Sequence, residues 1–157
     1  MTYKVKLYKD KVGFLHTEED ARTQIKFNHF EEYGELHDTP MWDEFENQFL
    51  AEEYSVTERE VRYIKVECDA GYAGTDAEEC AMLPAEWTEE QISEYANEFA
   101  FDNAECYSYH IEREYEDEDE DTLNSALDEY YAEYGSGSWH EVTPEEWEEE
   151  CGIIYLG

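Results

Sequence analysis

The residues best placed to do chemistry are carboxylates set in rows. Glu89, Glu90, Glu94, Glu98, Asp102 and Glu105 recur mostly at intervals of three and four, so a helix through them carries its negative charge along its outward face, with a rise of about 1.5 Å per residue. Glu112 and Glu114 follow, then the unbroken run Glu116, Asp117, Glu118, Asp119, Glu120 and Asp121. Asp128, Glu129, Glu145, Glu146 and Glu149 complete a set of nineteen. Such rows do electrostatic chemistry: they pair with Arg and Lys as phosphates do, and release counterions from a basic groove. Duplex DNA carries about one negative charge per 1.7 Å of axis, so the net charge of −34 matches roughly 58 Å of duplex, or about 17 base pairs. A compact chain of 157 residues has a radius of gyration near ~15 Å and a diameter of about 40 Å, so its charge density equals or exceeds that of DNA.

Other chemistries find less support. Asp117, Asp119, Asp121 and Asp128 fall at positions 1, 3, 5 and 12 of a calcium loop, but Thr122 stands where the turn needs glycine and Asp128 where it needs a bidentate Glu. Carboxylate pairs are too numerous for any one to mark an acid-base couple, which needs two environments that separate its pKa values. His16, His29, His37, His110 and His140 are scattered, without an HExxH spacing or a Cys–His cluster. No Gly-rich phosphate loop is present, and Gly71-x-x-Gly74 lies among acids. The expectation is a non-enzymatic protein with no catalytic residue, metal or cofactor.

The charge is unevenly divided. Residues 1–65 hold nine basic and fifteen acidic side chains, whereas residues 66–157 hold one basic and twenty-nine acidic. A balance this negative usually accompanies disorder, but 41% hydrophobic and 16% aromatic residues, including 14 Tyr, 7 Phe and 4 Trp, supply a core. Self-repulsion at this level exceeds what solubility requires. Cys68, Cys80, Cys106 and Cys151 lack CxxC spacing and no secretory leader opens the chain, so reduced, mostly buried thiols and a cytoplasmic location are expected. No apolar run approaches the roughly 20 residues of a membrane span, and the charge repels anionic membranes and nucleic acid alike.

The elements that must position these acids are legible in part. Tyr3–Tyr8 alternates β-formers with lysines and, after a turn over Lys9–Gly13, Phe14 and Leu15 begin a return strand. Thr17-Glu-Glu-Asp starts a helix through Ala21, Ile25 and Phe30 that ends near Gly34; Thr39-Pro40 starts another, with Trp42, Phe45, Phe49 and Leu50 on one stripe. Residues 60–67 alternate as a central strand covered on both faces. From Trp87 to about Tyr107, Thr88 and Gln91 form a capping box, Trp87 and Ile92 a hydrophobic staple, and Ile92, Tyr95, Ala96, Phe99, Ala100 and Ala104 the buried face. Residues 107–115 read as a strand, Leu123, Leu127, Tyr130 and Tyr131 as a helix ending before Gly135, and residues 135–138 as a turn or linker. Thr143, Pro144 and Glu146 start a last helix with a Val142–Trp147 staple; Gly152 stops it, and residues 153–156 return as a short strand or an apolar tail. The fold class expected is α+β, one domain over 1–157 with a single core: a small, mainly antiparallel sheet covered by amphipathic helices.

In this character the chain resembles the phage-encoded, acidic, aromatic-rich DNA-mimic proteins that block restriction enzymes, CRISPR nucleases or other host DNA-binding proteins. The resemblance is one of composition over the whole chain. It implies an inhibitor, acting in the host-cell cytoplasm, that occludes the nucleic-acid channel of a basic partner through the nineteen carboxylates. A homodimer extending the charged surface is compatible with it. Two other readings remain: docking through the less acidic N-terminal half at Trp42, Phe45 or Phe49, with charge used for steering, and acidic divalent-cation binding.

Overall fold

Short-range hydrogen bonds start most helices of the computed structural model, which describes residues 1–156. The fold is α+β, with seven helices and a mixed, mainly antiparallel sheet among the described residues. By its internal contacts the chain divides into two units, residues 3–61 and residues 1–2 with 62–157.

In residues 3–61, β1 (Tyr3–Lys9) pairs antiparallel with β2 (Leu15–His16) and with the first half of β3 (Ser55–Cys68), Tyr3 opposite Val61 and Lys9 opposite Ser55. The Thr17 side chain accepts from the Asp20 N–H and starts α1 (Glu18–Asn28). This helix breaks at His29, before the Phe30 expected within it; Phe30 falls in the one-turn α2 (Phe30–Tyr33) with its side chain 62% exposed. After a 3-10 turn at Gly34–Leu36, α3 (Pro40–Glu53) begins with Pro at its first position. The Thr39 hydroxyl does not cap it but donates to the Leu36 carbonyl at 2.6 Å. Tyr8, Ala21, Ile25, Trp42 and Leu50 form the core, with Tyr33, Phe45, Phe49 and Tyr54 packed against it.

In residues 62–157, β3 runs between β4 (Ala77–Pro84) and β5 (Ser138–Glu141), which pairs antiparallel with it. Residues 153–156 contribute β6 (Ile153–Ile154), parallel to β4 with Ala81 opposite Ile153. Both predicted bonds of the capping box are made by Thr88 and Gln91 at the start of α4 (Glu89–Cys106). Its Ile92 and Ala96 pack on Ile64, Val66, Ala81 and Leu83, with Trp87, Tyr95, Phe99 and Trp139 around them. Tyr63 points to the opposite side of the sheet from Ile64. There it meets Trp147 of α7 (Pro144–Glu149), ring centroids 5.5 Å apart. Behind α7, Gly152 runs so close to Trp147 that a Cβ would overlap the indole.

Residues 107–115 are not a strand. Residues Tyr109–Glu114 form the short helix α5, because the Ser108 carbonyl accepts from the Ile111 and Glu112 N–H groups and His110 packs against Tyr72, centroids 4.2 Å apart. β5 occupies β3 instead, starting inside the segment expected to be linker. Between α5 and β5 lies α6 (Glu120–Tyr134), capped by Asp119, whose side chain accepts from the Thr122 N–H at 2.8 Å. The thiols are all free, but only Cys80 is buried; Cys68 is half-buried, and Cys106 and Cys151 are exposed, contrary to the expectation of mostly buried cysteines.

Candidate acidic interaction surface

All nineteen nominated carboxylates are exposed: Glu89, Glu90, Glu94, Glu98, Asp102 and Glu105 on α4, Glu112 and Glu114 on α5, 116–121 leading into α6, Asp128 and Glu129 on it, and Glu145, Glu146 and Glu149 on α7. The reason lies in the other side of each helix. On α4, Ile92, Ala96, Ala100 and Ala104 are completely buried, so the apolar stripe fixes which face is turned to water.

The acidic faces of α4, α5 and α6 are held together by packed aromatic side chains. Phe101 of α4 packs against Tyr131 of α6 with centroids 4.7 Å apart and planes tilted by 31°. The buried Tyr130 hydroxyl donates to the carbonyls of Ala70 and Ala104, at 2.9 and 3.1 Å. Burial, then the neighbouring Tyr72, pushes the Tyr130 pKa up to about 12, so it stays a neutral donor. Trp139 of β5 ties down the other end of α4 by donating to the Ser93 hydroxyl at 3.1 Å.

The run of six acids is an ordered junction. Glu118 N–H donates to the Tyr115 carbonyl, Asp119 caps α6, and Glu120 and Asp121 lie in its first turn, where the helix dipole favours negative charge. Hydrogen bonding from Thr122 holds the Asp119 carboxyl below its ordinary pKa. Asp121 and Asp128 share the helix about 10 Å apart along its axis, so they cannot close on one calcium ion with Asp117 and Asp119. Among the described residues no group of three or more His, Cys, Asp or Glu side chains is placed to hold a metal ion.

Not all nineteen come together. α7 packs through Trp147 on the face of the sheet opposite α4, so Glu145, Glu146 and Glu149 form a second patch. The few cations nearby are engaged elsewhere. Arg62 binds Glu141 at 2.8 Å and the Trp87 carbonyl at 3.1 Å; Lys65 pairs with Glu78 at 3.3 Å and Glu150 at 3.8 Å; the Met1 ammonium meets Glu141 at 3.1 Å. That ammonium, then Arg62, holds the Glu141 carboxyl low against the effect of burial. Among the described residues no Lys, Arg or His side chain forms an ion pair with any of the nineteen.

Of the aromatic docking residues considered above, Trp42 is core at 1% exposure, while Phe45 and Phe49 are half-buried and pack against its cluster. Sequence reading passed over two exposed rings beside the acidic rows, Phe101 and Tyr109. Phe101 was detectable, since it follows the buried Ala100 and is turned about 100° off the apolar stripe. Tyr109 was hidden by the strand reading of its segment.

No protein-family model, curated protein or solved structure matches this chain. Among the described residues no helix is long and apolar enough to cross a membrane. The acidic surface therefore has to be interpreted through its own geometry.

Proposed function

We propose that this protein is a non-enzymatic DNA mimic that occludes the nucleic-acid channel of a basic host defence protein, a restriction enzyme or a CRISPR nuclease complex, in the cytoplasm. The observation that carries this reading is the exposure of all nineteen carboxylates without an intramolecular cation partner. Carboxylates kept for stability are normally paired or hydrogen-bonded; apart from the capping Asp119 and its first-turn neighbours, these mainly add self-repulsion to a chain already at −34. The α4–α6 face is the primary contact, because its rows lie on one packed group of helices. A basic channel closing on it replaces phosphate contacts with carboxylate contacts and gains the same counterion-release entropy.

The test is competition against DNA. Purified protein should displace duplex DNA from a sensitive nuclease, with a steep fall in affinity as salt rises. Converting Glu89, Glu94, Glu98 and Asp102 to Lys should weaken inhibition and make the slope of log K against log salt shallower by roughly three to four. Unchanged inhibition by that variant would sink the mimicry mechanism.

A second reading draws on Val12, Phe14, Phe27 and Phe30, which are between 62% and 81% exposed in the less acidic region. Docking there would be insensitive to salt and to the four reversals, and lost on replacing Phe14 or Phe27 with Ser.

A further inference from the structure

Phe101 leaves its ring 42% exposed in the middle of an acidic helix face. The ring packs against Tyr131 with its plane tilted by 31°, and beside it lies an open depression of about 530 Å³ lined by Asn97, Glu98, Phe101, Asp102 and Gly135. Gly135 lines it, where a Cβ would collide with the Tyr131 carbonyl and touch the Phe101 ring at 3.6 Å. Glu98 and Asp102, one helical turn apart, stand at the rim, both exposed.

An aromatic ring beside two carboxylates is matched by a guanidinium. Its plane is weakly hydrated and stacks on a ring, while its edge makes charge-assisted hydrogen bonds to carboxylate oxygens. A lysine ammonium gains the charges but is strongly hydrated and has no plane to stack. The chain holds its own example: Arg113, the one basic residue of 66–157, lies over the exposed Tyr109 ring at 5.9 Å, flanked in sequence by Glu112 and Glu114. Among the described residues no cation lies over Phe101.

We propose that Phe101, Glu98 and Asp102 form an arginine-reading pocket, which takes an arginine side chain presented by the basic groove of the partner. This rests on the DNA-mimic reading and adds what a uniform field of negative charge does not provide: a preference for arginine over lysine at one position. The carboxylates supply the charge complementarity, and the ring supplies the selectivity.

The experiment titrates hexa-arginine and hexa-lysine peptides of equal charge into the full chain by calorimetry at low salt. The wild type should bind the arginine peptide about two- to five-fold more tightly through the stacking contribution. Phe101→Leu, which keeps an apolar contact with Tyr131 but has no aromatic face, should bring the two affinities together. A Glu98→Gln, Asp102→Asn double variant should weaken both peptides. Circular dichroism of each variant identifies any that fails to fold, and Phe101→Tyr, which restores a ring, should then restore the preference. Equal affinities in the wild type, or a preference that survives in Phe101→Leu, would overturn the pocket and leave the mimicry reading standing. Failure of both peptides to bind would overturn both readings.

Discussion

Residues 3–61 and residues 62–157 use their carboxylates in opposite ways. In the first region fifteen acidic side chains accompany seven basic ones, and many are bonded. Asp10 accepts from the N–H groups of Val12, Gly13 and Phe14 and meets His16 at 2.8 Å, while His16 reaches Asp20 at 2.7 Å. Arg22 pairs with Glu18 at 3.0 Å and lies 3.7 Å from the buried Glu46, and His29 meets Glu53 at 3.2 Å. In the second region twenty-nine acids accompany three basic side chains, and the nominated rows point to water. Where acids have partners they shape turns and join elements. Where they lack them, apolar helix faces carry the stability, and the charge is left available for a partner.

The largest expected effect tests whether the regions are energetically distinct. Trp42→Ala should cost about 3–5 kcal/mol, read by urea denaturation. Hydrogen exchange should show the loss concentrated in residues 3–61; an equal loss throughout 62–157 would merge the two into one cooperative unit. In the second region the corresponding weak point is apolar. Gly152→Ala should cost about 1–3 kcal/mol, because the new methyl group must displace the Trp147 indole. Neutralising Glu89, Glu94, Glu98 and Asp102 as amides should instead leave stability within about 0.5 kcal/mol of the wild type, or raise it by relieving repulsion. A clear loss in the urea midpoint would show that these acids support the fold, and would erase the contrast.

The smallest effect is in pH dependence. Burial pulls the His16 pKa down, but hydrogen bonds to Asp10 and Asp20 outweigh it and hold the pKa above 6.5. This stabilisation is fully present below pH 6.5 and fades as pH rises through the folded-state value. Asp10, bonded to His16 and to the turn N–H groups, is held at about 2 against an ordinary 3.8, so its contribution is lost only as pH falls toward 2. Together they favour the first region between about pH 4 and 6.5. The urea midpoint of wild type should exceed that of His16→Asn in this window, and the gap should narrow toward pH 8. A constant gap would remove the titration from the account. In the second region the lowered carboxyls of Asp119 and Glu141 act with the opposite sign to His16: they stabilise above their ordinary values and lose that effect as pH falls.

Several elements were legible because their signals act over three or four residues. Thr88 with Gln91, Thr143 with Pro144, and Thr17 before three acids name helix starts by the hydrogen bonds those side chains make to nearby N–H groups. The α4 stripe likewise determined that its six carboxylates face water. Residues 109–114 were misread because Tyr and Ile in alternation favour a strand, whereas the packing of His110 against Tyr72 and the carbonyl of Ser108 select a helix.

By itself, then, the sequence determined the charge, its uneven division, the α+β class and the outward acidic rows, all properties of composition or of periodicity within one element. Tertiary structure alone decided that β5 and β6 join the sheet, that Trp42 is core, that α7 lies on the opposite sheet face from α4, and that Phe101 opens onto a depression beside Gly135. Those outcomes depend on contacts between residues far apart in the chain. Pairing strength and burial there are set by which surfaces meet, and no local pattern records that.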